Sequence, residues 1–232
     1  MKLTYLGHSC VFLDTGDYRL IIDPFLTGNP KAAAMAEDID VDYILLTHGH
    51  SDHIGDAEAI ARRTGATIVA IVELADFFKQ KGLKATGMNL GGSSNFPFGK
   101  LTFTPALHSS SVEVNGTNVY LGVAAGIVLN INGFIVHHCG DTALFSDMKL
   151  IGSKHKIDLA FIPIGDFFTM GPEDALLAAE WIGAKHVVPV HYDTFGLIKQ
   201  DGAQFAHQLQ KLGISGHALL PGESLDQAQL ER

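Results

Sequence analysis

The run Thr47-His48-Gly49-His50-Ser51-Asp52-His53 places three imidazoles and one carboxylate within six consecutive positions, directly behind the apolar run Tyr43-Ile44-Leu45-Leu46. A short apolar run that ends in a polar turn reads as a buried strand. The chain must therefore fold so that a rigid strand end delivers this cluster to a place where it can act. In extended backbone alternate residues share a face, so His48 and His50 point the same way, while Asp52 and His53 follow once the chain has begun to turn. One pair can serve one metal ion and the other pair a second. Imidazole nitrogen with carboxylate oxygen suits borderline divalent ions, zinc foremost, and also manganese, iron or nickel. A solvated polar turn would account for one such histidine, but not for the group.

The rest of the composition bounds what can surround this cluster. A chain of 232 residues that is 47% hydrophobic can bury one sizeable core, which predicts a single domain over residues 1–232. The formal net charge of −9 argues against a broad nucleic-acid or anionic-membrane footprint, although bound cations would make the local field positive. Met1 to Leu6 alternates like a strand and lacks the features of a secretory signal, and no apolar run reaches bilayer-spanning length. The expectation is a soluble, cytoplasmic protein that acts on a small molecule, with neither nucleic acid nor membrane as partner; a homo-oligomer stays open. Cys10 and Cys139, far apart and outside any paired metal-binding spacing, read as reduced core residues.

Periodicity divides the chain into two similar halves. Three short extended segments between Leu3 and Asp23 predict a meander, and Thr27 to Asp40 reads as an Ala-rich mobile surface segment that borders the pocket. Helices are predicted at Ala57 to Thr64, with Asp56 as N-cap and Gly65 as stop, and at Glu73 to Lys81, with the strand Thr67 to Ala70 between them. Strands follow at Lys100 to Thr104, Asn118 to Leu121, Gly126 to Ile131 and Gly133 to Val136, with Asn132-Gly133 as a hairpin turn. Helix and strand then alternate again: a helix around Phe145 to Gly152, the strand Leu159 to Ile162, the helix Pro172 to Ile182, the strand His186 to Val190 and the helix Ala203 to Leu212. Leu225 to Arg232 reads as a frayed end. A chain that is β-rich and then helical, twice over, predicts two sheets packed face to face with helices outside each, an α/β four-layer αββα sandwich.

Potential ligands sit where strands end. Tyr43 to Leu46 precedes His48, Leu101 to Phe103 precedes His108, Phe134 to Val136 precedes Gly140-Asp141-Thr142, and Val187 to Val190 precedes His191. If these strands share a direction, every one of these groups lands on one edge, on rigid anchors with variable loops beyond.

The His-x-His-x-Asp-His pattern over residues 48–53 resembles the metallo-β-lactamase superfamily. The resemblance implies that His48, His50 and His108 hold one metal ion, that Asp52, His53 and His191 hold a second, and that Asp141 bridges the two. Gly7-His8-Ser9, Ile22-Asp23-Pro24-Phe25, His138-Cys139-Gly140-Asp141-Thr142, Met170-Gly171-Pro172 and Pro189-Val190-His191-Tyr192 are similar to a family of uncharacterised metal-dependent hydrolases close to the ascorbate-phosphate lactonase group. One departure is His138-Cys139, where that family tends to have His followed by Ala; it leaves the ligands intact.

Four further residues earn separate readings. His8, in a glycine turn on the metal side, lines the pocket or is an ordinary turn residue. Asp23 caps a turn or orients a ligand histidine from behind. His138 supports the site or belongs to the buried structure rather than ligating, and Tyr192 donates to a substrate oxygen or packs. His137, His155, His186, His207 and His217 read as surface or satisfied structural residues.

Two divalent ions roughly 3.5 to 4 Å apart can share a water, lower its pKa toward about 7 and polarise a carbonyl or phosphoryl oxygen. The expected activity is therefore attack by a metal-bridging hydroxide on a small ester, lactone or phosphoester, with Asp52 and Asp141 as the catalytic carboxylates that orient it and pass a proton. A phosphodiesterase or nuclease could use the same centre, but the 16 Lys and Arg form no run that would mark a basic groove. A flavin-linked di-iron protein would carry Glu where this chain has Ser51-Asp52. A non-catalytic metal-binding or sensing domain would saturate its ions with protein ligands, whereas seven ligands over two ions leave positions open.

Overall fold

Strands covered on both faces need apolar side chains on both, so their sequences read as continuous hydrophobic runs rather than alternating ones. The runs noted above form such strands in the computed structural model, which describes residues 1–231. In the first half, β1 (Lys2–Gly7), β2 (Cys10–Asp14) and β3 (Arg19–Ile22) make an antiparallel meander. β4 (Tyr43–Leu45), α1 (Ser51–Ile54), α2 (Ala57–Thr64), β5 (Thr67–Ile71), α3 (Val72–Gln80) and β6 (Ala85–Met88) extend it by parallel pairing. The second half begins with β7 (Ser93–Phe96) and β8 (Gly99–Pro105), then a separate hairpin of β9 (Ser111–Val114) and β10 (Thr117–Tyr120), then β11 (Ala125–Ile131) and β12 (Phe134–His138). It continues through α4 (Met148–Lys154), β13 (Leu159–Pro163), α5 (Pro172–Ile182), β14 (His186–Val190), α6 (Gly202–Lys211), β15 (Ser215–Gly216), β16 (Ser224–Asp226) and α7 (Gln227–Leu230).

Two seven-stranded sheets result, one in the order β16-β1-β2-β3-β4-β5-β6 and the other β15-β14-β13-β12-β11-β8-β7. Strand periodicity sorts each run between two cores. Leu20, Ile22, Leu45 and Val69 face the second sheet, where they meet Phe103, Leu129, Val136, Phe161 and Val188. Their neighbours Ile21, Ile44 and Ile68 face outward onto Ile60, Leu74 and Phe78 of α2 and α3. On the far side Ala160, Ile162 and Val187 meet Met148, Ile151, Ala179, Phe205 and Leu209 of α4, α5 and α6. The fold is the expected αββα sandwich. Burial of a large aliphatic or aromatic side chain stabilises by about 1.5–3 kcal/mol, and three such clusters hold the four layers together.

Direction is what matters for the site. β3, β4, β5 and β6 run parallel, and so do β12, β13 and β14. β8 is antiparallel to β11, which is antiparallel to β12, so β8 shares their direction. The strands that precede His108, Asp141 and His191 therefore end on the same edge.

Several expectations shift. β6, β7 and β9 carry too many polar or small residues to have been read as strands, and the strand predicted at Asn118 to Leu121 is β10, which ends at Tyr120, is wholly exposed and, among the described residues, pairs only with β9. The helix expected around Phe145 starts at Met148. Asp56 precedes α2, but its carboxylate accepts from the backbone N–H groups of Leu26 and Thr27 at 3.0 and 2.8 Å rather than capping the helix. The 27–40 segment is anchored: Asn29, Ala36 and Ile39 are buried, and Arg63 donates to the carbonyls of Ala36 and Ile39. The tail is not frayed where described, although Arg232 lies outside the described residues. β16 pairs with β1 in the register Leu3↔Leu225, and Leu225 joins the core between the sheets.

Leu225→Ala is expected to lower the unfolding free energy by about 2–3 kcal/mol in urea titrations, the cost of emptying a core position. A tail without structure would give a change below about 0.5 kcal/mol.

Candidate metal centre

β4 ends at Leu45, and the chain beyond it curls into α1, a single turn that carries Asp52 and His53. Gly55 closes that turn at φ +32°, where a Cβ would collide with the carbonyl of Pro24. α1 is thereby pressed against the turn that follows β3, which brings Asp23 beside the histidines. The Asp23 carboxylate accepts from Thr47 N at 2.9 Å, Thr47 Oγ1 at 2.6 Å and His53 Nδ1 at 2.8 Å. Because Thr47 Oγ1 gives its proton to Asp23, it can only accept from His48 Nδ1, 3.0 Å away. Both rings therefore turn an Nδ1–H backward and point Nε2 forward, as a hydrogen bond to the far nitrogen dictates.

The forward nitrogens converge with those of the other imidazoles. His48 Nε2 lies 3.0 Å from His50 Nδ1, which lies 3.3 Å from His108 Nε2. Asp141 Oδ2 lies 3.0 Å from His191 Nε2, 3.2 Å from His53 Nε2, 3.6 Å from His108 Nε2 and 3.9 Å from His48 Nε2. Asp52 Oδ2 lies 3.6 Å from His191 Nε2 and 4.0 Å from His53 Nε2. All seven residues that the sequence singles out as ligands thus meet in one place. Donor atoms on a tetrahedral ion with metal–nitrogen distances near 2.0–2.1 Å stand about 3.3 Å apart, so the separations of 3.0–3.6 Å match the spacing that a shared cation would require.

The residues also fit a metal chemically. His53 Nε2 and Asp141 Oδ1 are buried polar atoms without a hydrogen-bond partner, a costly condition unless another group satisfies them. Burial would raise the carboxyls of Asp52 and Asp141, but the positive charge and hydrogen bonds of the neighbouring imidazoles hold both well below the usual carboxylate range. Burial likewise lowers His191, and Asp141 beside it overcomes this to hold the imidazolium to about 9; His53 is raised for the same reason. The site therefore demands positive charge, which in the absence of a cation is supplied by protons on the nitrogens that face Asp141. His48, buried among other imidazoles, is held well below its ordinary value. Grouped donors number three sets: His8 with Asp52, His53 and His191; His48 with His50 and His108; and His48 with His53 and Asp141.

A cavity of about 370 Å³ opens on this cluster, lined by His50, Asp52, His108, Ser109, Asp141, Phe168 and His191. Ser109 Oγ lies 3.3 Å from His50 Nε2, and Phe168 is half exposed at the rim. Neither was singled out from sequence, although Ser109 adjoins His108. His8 is fully buried, with Nε2 3.1 Å from Asp52 Oδ2. His138 is satisfied on both nitrogens, by Ser9 O at 2.9 Å and Gly140 N at 3.2 Å, and its ring stacks on Phe161. It belongs to the buried structure. Tyr192 does not line the cavity: it packs with the core under α5 and α6, and its hydroxyl sits where a Cβ on Gly202 would be.

Grouped histidines and aspartates at one edge of two facing sheets define the metallo-β-lactamase fold with its metal-binding edge. The family profile described as beta-lactamase superfamily domain matches residues 18–192. A UPF0173 metal-dependent hydrolase of Bacillus cereus (strain AH187) is 53% identical over 227 residues, covering 97% of this chain and 99% of that protein. One of Geobacillus thermodenitrificans is 52% identical over 227 residues, with 97% and 100% covered. The solved structure of Igni18, a metallo hydrolase from the hyperthermophilic archaeon Ignicoccus hospitalis, superposes with a TM-score of 0.88 at 36% identity, covering 97% of each chain. The chain accordingly belongs to the beta-lactamase superfamily and, within it, to the UPF0173 metal-dependent hydrolases.

Metal-free protein is expected to be most stable near pH 6.5. His8 and His137 are pushed by burial to about 4 and about 3 from 6.5, so below 6.5 the unfolded chain binds protons that the folded chain refuses, and stability falls on acidification. His191 is held to about 9, so above 6.5 the folded chain keeps a proton that the unfolded chain releases, and stability falls as pH rises. Urea midpoints of chelator-treated protein at about pH 5, 6.5 and 8.5 check this bell shape.

Proposed function

We propose that the seven converging donors hold two divalent metal ions, zinc foremost, and that the protein hydrolyses a small ester, lactone or phosphoester. His48, His50 and His108 would hold one ion, Asp52, His53 and His191 the other, and Asp141 would lie between them. The observation that carries this reading is the position of Asp141 Oδ2, within 3.0–3.9 Å of four imidazole nitrogens, two from each set. When bound, such ions lower the pKa of a coordinated water to about 7 and polarise a carbonyl or phosphoryl oxygen.

The two carboxylates differ in what they can do. The Asp141 side chain is 3% exposed and that of Asp52 is 28% exposed. Asp141 is too enclosed to exchange protons with a leaving group, so its part is to hold charge at the centre of the cluster. Asp52 reaches the cavity, where it can accept the proton of an attacking water and return it to the departing oxygen. Both stay ionised at neutral pH because the neighbouring imidazoles hold them below the usual carboxylate range. His50 and His108 hold the opposite wall.

The cavity is large enough for a small molecule and falls within the range of ligand pockets. Among the described residues that line it there is no Lys or Arg, the groups that proteins ordinarily set around phosphodiester backbones. This favours a small carboxylic ester, lactone or thioester over a nucleic acid. The sequence resemblance to the ascorbate-phosphate lactonase group points the same way. No helix among the described residues is long and apolar enough to cross a membrane.

His50→Ala and Asp141→Ala are expected to lose at least about 100-fold in kcat/KM and to bind less metal by elemental analysis, with an unchanged circular dichroism spectrum. The substrate for this measurement comes from a screen of lactones, thioesters and phosphodiesters with protein purified without added metal. Full activity in Asp141→Ala would remove the central role given to that carboxylate.

A further inference from the structure

We propose that His8 is a positioning residue for Asp52, the carboxylate that meets both the second ion and the cavity; the inference rests on the two-ion reading above. Asp52 stands on a four-residue turn of helix and is partly open to solvent. An aspartate so placed has alternative rotamers, and a metal site tolerates only about 0.5 Å of misplacement in its donors. Something must hold it. Its shortest side-chain contact is His8 Nε2 at 3.1 Å, against 3.6 Å from His191 and 4.0 Å from His53.

His8 is itself held from every side. Its Nδ1 lies 2.9 Å from Thr194 Oγ1, and its ring meets those of Phe25 and Phe195 edge-on with centroids 5.5 Å away in each case. Its carbonyl accepts from His191 N at 2.8 Å and from Tyr5 Oη at 3.2 Å, so the backbone of the turn ties the end of β1 to the end of β14. The turn depends on Gly7 at φ +105°, where a Cβ would stand 2.6 Å from the carbonyl of Lys31. On the side of His8 these ties are made by its backbone carbonyl and by Gly7, so they survive replacement of the His8 side chain.

The hydrogen bonding assigns the proton. An ionised Asp52 can only accept, so the 3.1 Å contact requires a proton on His8 Nε2, donated to Asp52 Oδ2; Nδ1 of neutral His8 then accepts from Thr194 Oγ1, at 2.9 Å its shorter contact than the 3.3 Å one to the Tyr192 carbonyl. The arrangement is the reverse of the one at Asp23, where a carboxylate fixes an imidazole. Here an imidazole fixes a carboxylate.

Zinc alone is the probe. Competition with a chromophoric chelator should show two sites in the native protein. His8→Ala should weaken one of them by about 10–100-fold and leave the other within about threefold, the size of effect seen when a group behind a ligand is removed. His8→Gln, whose amide N–H can reach the same carboxylate, should recover most of the loss. Wild-type affinity at both sites in His8→Ala, equal weakening of both sites, or a His8→Gln variant no better than His8→Ala would each overturn the proposal. Nitrogen NMR of the histidine rings in chelator-treated protein is the second arm: a His8 Nε2-bound proton that shifts in Asp52→Asn supports the hydrogen bond, and an Nε2 without a proton refutes it. Fewer than two zinc ions on the native protein would defeat the two-ion reading, and the zinc-free NMR arm would still decide the part played by His8.

Discussion

A fully enclosed carboxylate cannot stay ionised without compensating charge, and the architecture around Asp141 answers that constraint. Taking a carboxylate out of water costs several kcal/mol even after the protein relaxes. Asp141 is buried with one oxygen unpartnered and the other facing four imidazole nitrogens. Imidazoles can offset the charge in two ways, as protonated partners or as neutral ligands around a shared cation. In the first, His53 and His191 hold protons on the nitrogens that face Asp141, which is the state their raised pKa values describe. In the second, those protons leave and a metal takes their place, which is why metal affinity at such a site rises with pH.

The layers serve this arrangement. A cluster of this density on flexible loops would spread apart, because five imidazoles crowded on two carboxylates repel one another and lose rotamer freedom when nothing binds between them. Here β8, β12 and β14 end together on one edge, and their residues are locked by the core between the sheets. Asp23 and Thr47 complete the support by setting the tautomers of His48 and His53 from behind. A rear-bonded imidazole has its ring orientation fixed in advance, so for His48 and His53 what a cation would still have to displace is the forward proton on His53.

Most of this was legible in the sequence, for reasons that differ by residue. The central strands announce themselves because burial on both faces demands continuous apolar runs, as in Arg19 to Ile22 and Leu159 to Pro163. His48, His50, Asp52 and His53 are legible because they are adjacent, and His108, Asp141 and His191 because each follows such a run. β7, with the sequence Ser93-Ser94-Asn95-Phe96, was not legible: it lies at a sheet edge, three of its four residues are exposed, and its order comes from pairing with β8 rather than from its own pattern. β16 escaped notice for the same reason, because its partner β1 lies at the opposite end of the chain. Phe168 and Thr194 were invisible because a loop residue declares its target only when the loop is folded.

The backbone at three supporting positions shows what the site requires. His8, Asp23 and His191 adopt φ of +57°, +46° and +54°, the left-handed region that costs residues other than glycine on the order of 1 kcal/mol or more each. Each directly follows a strand, β1, β3 or β14. A residue continuing the strand would point its side chain to one face of the sheet, into a core of aliphatic groups. The left-handed turn breaks that alternation and swings the side chain over the strand end. Glycine would relieve the backbone at all three places but would remove the imidazole or carboxylate that makes the turn worth keeping. The strain is offset locally: His191 N donates to His8 O at 2.8 Å, and Asp23 N donates to Leu45 O at 3.0 Å. Side chains that enter a site only through an unfavourable backbone are there for what they contact, and in this protein all three contact the same cluster.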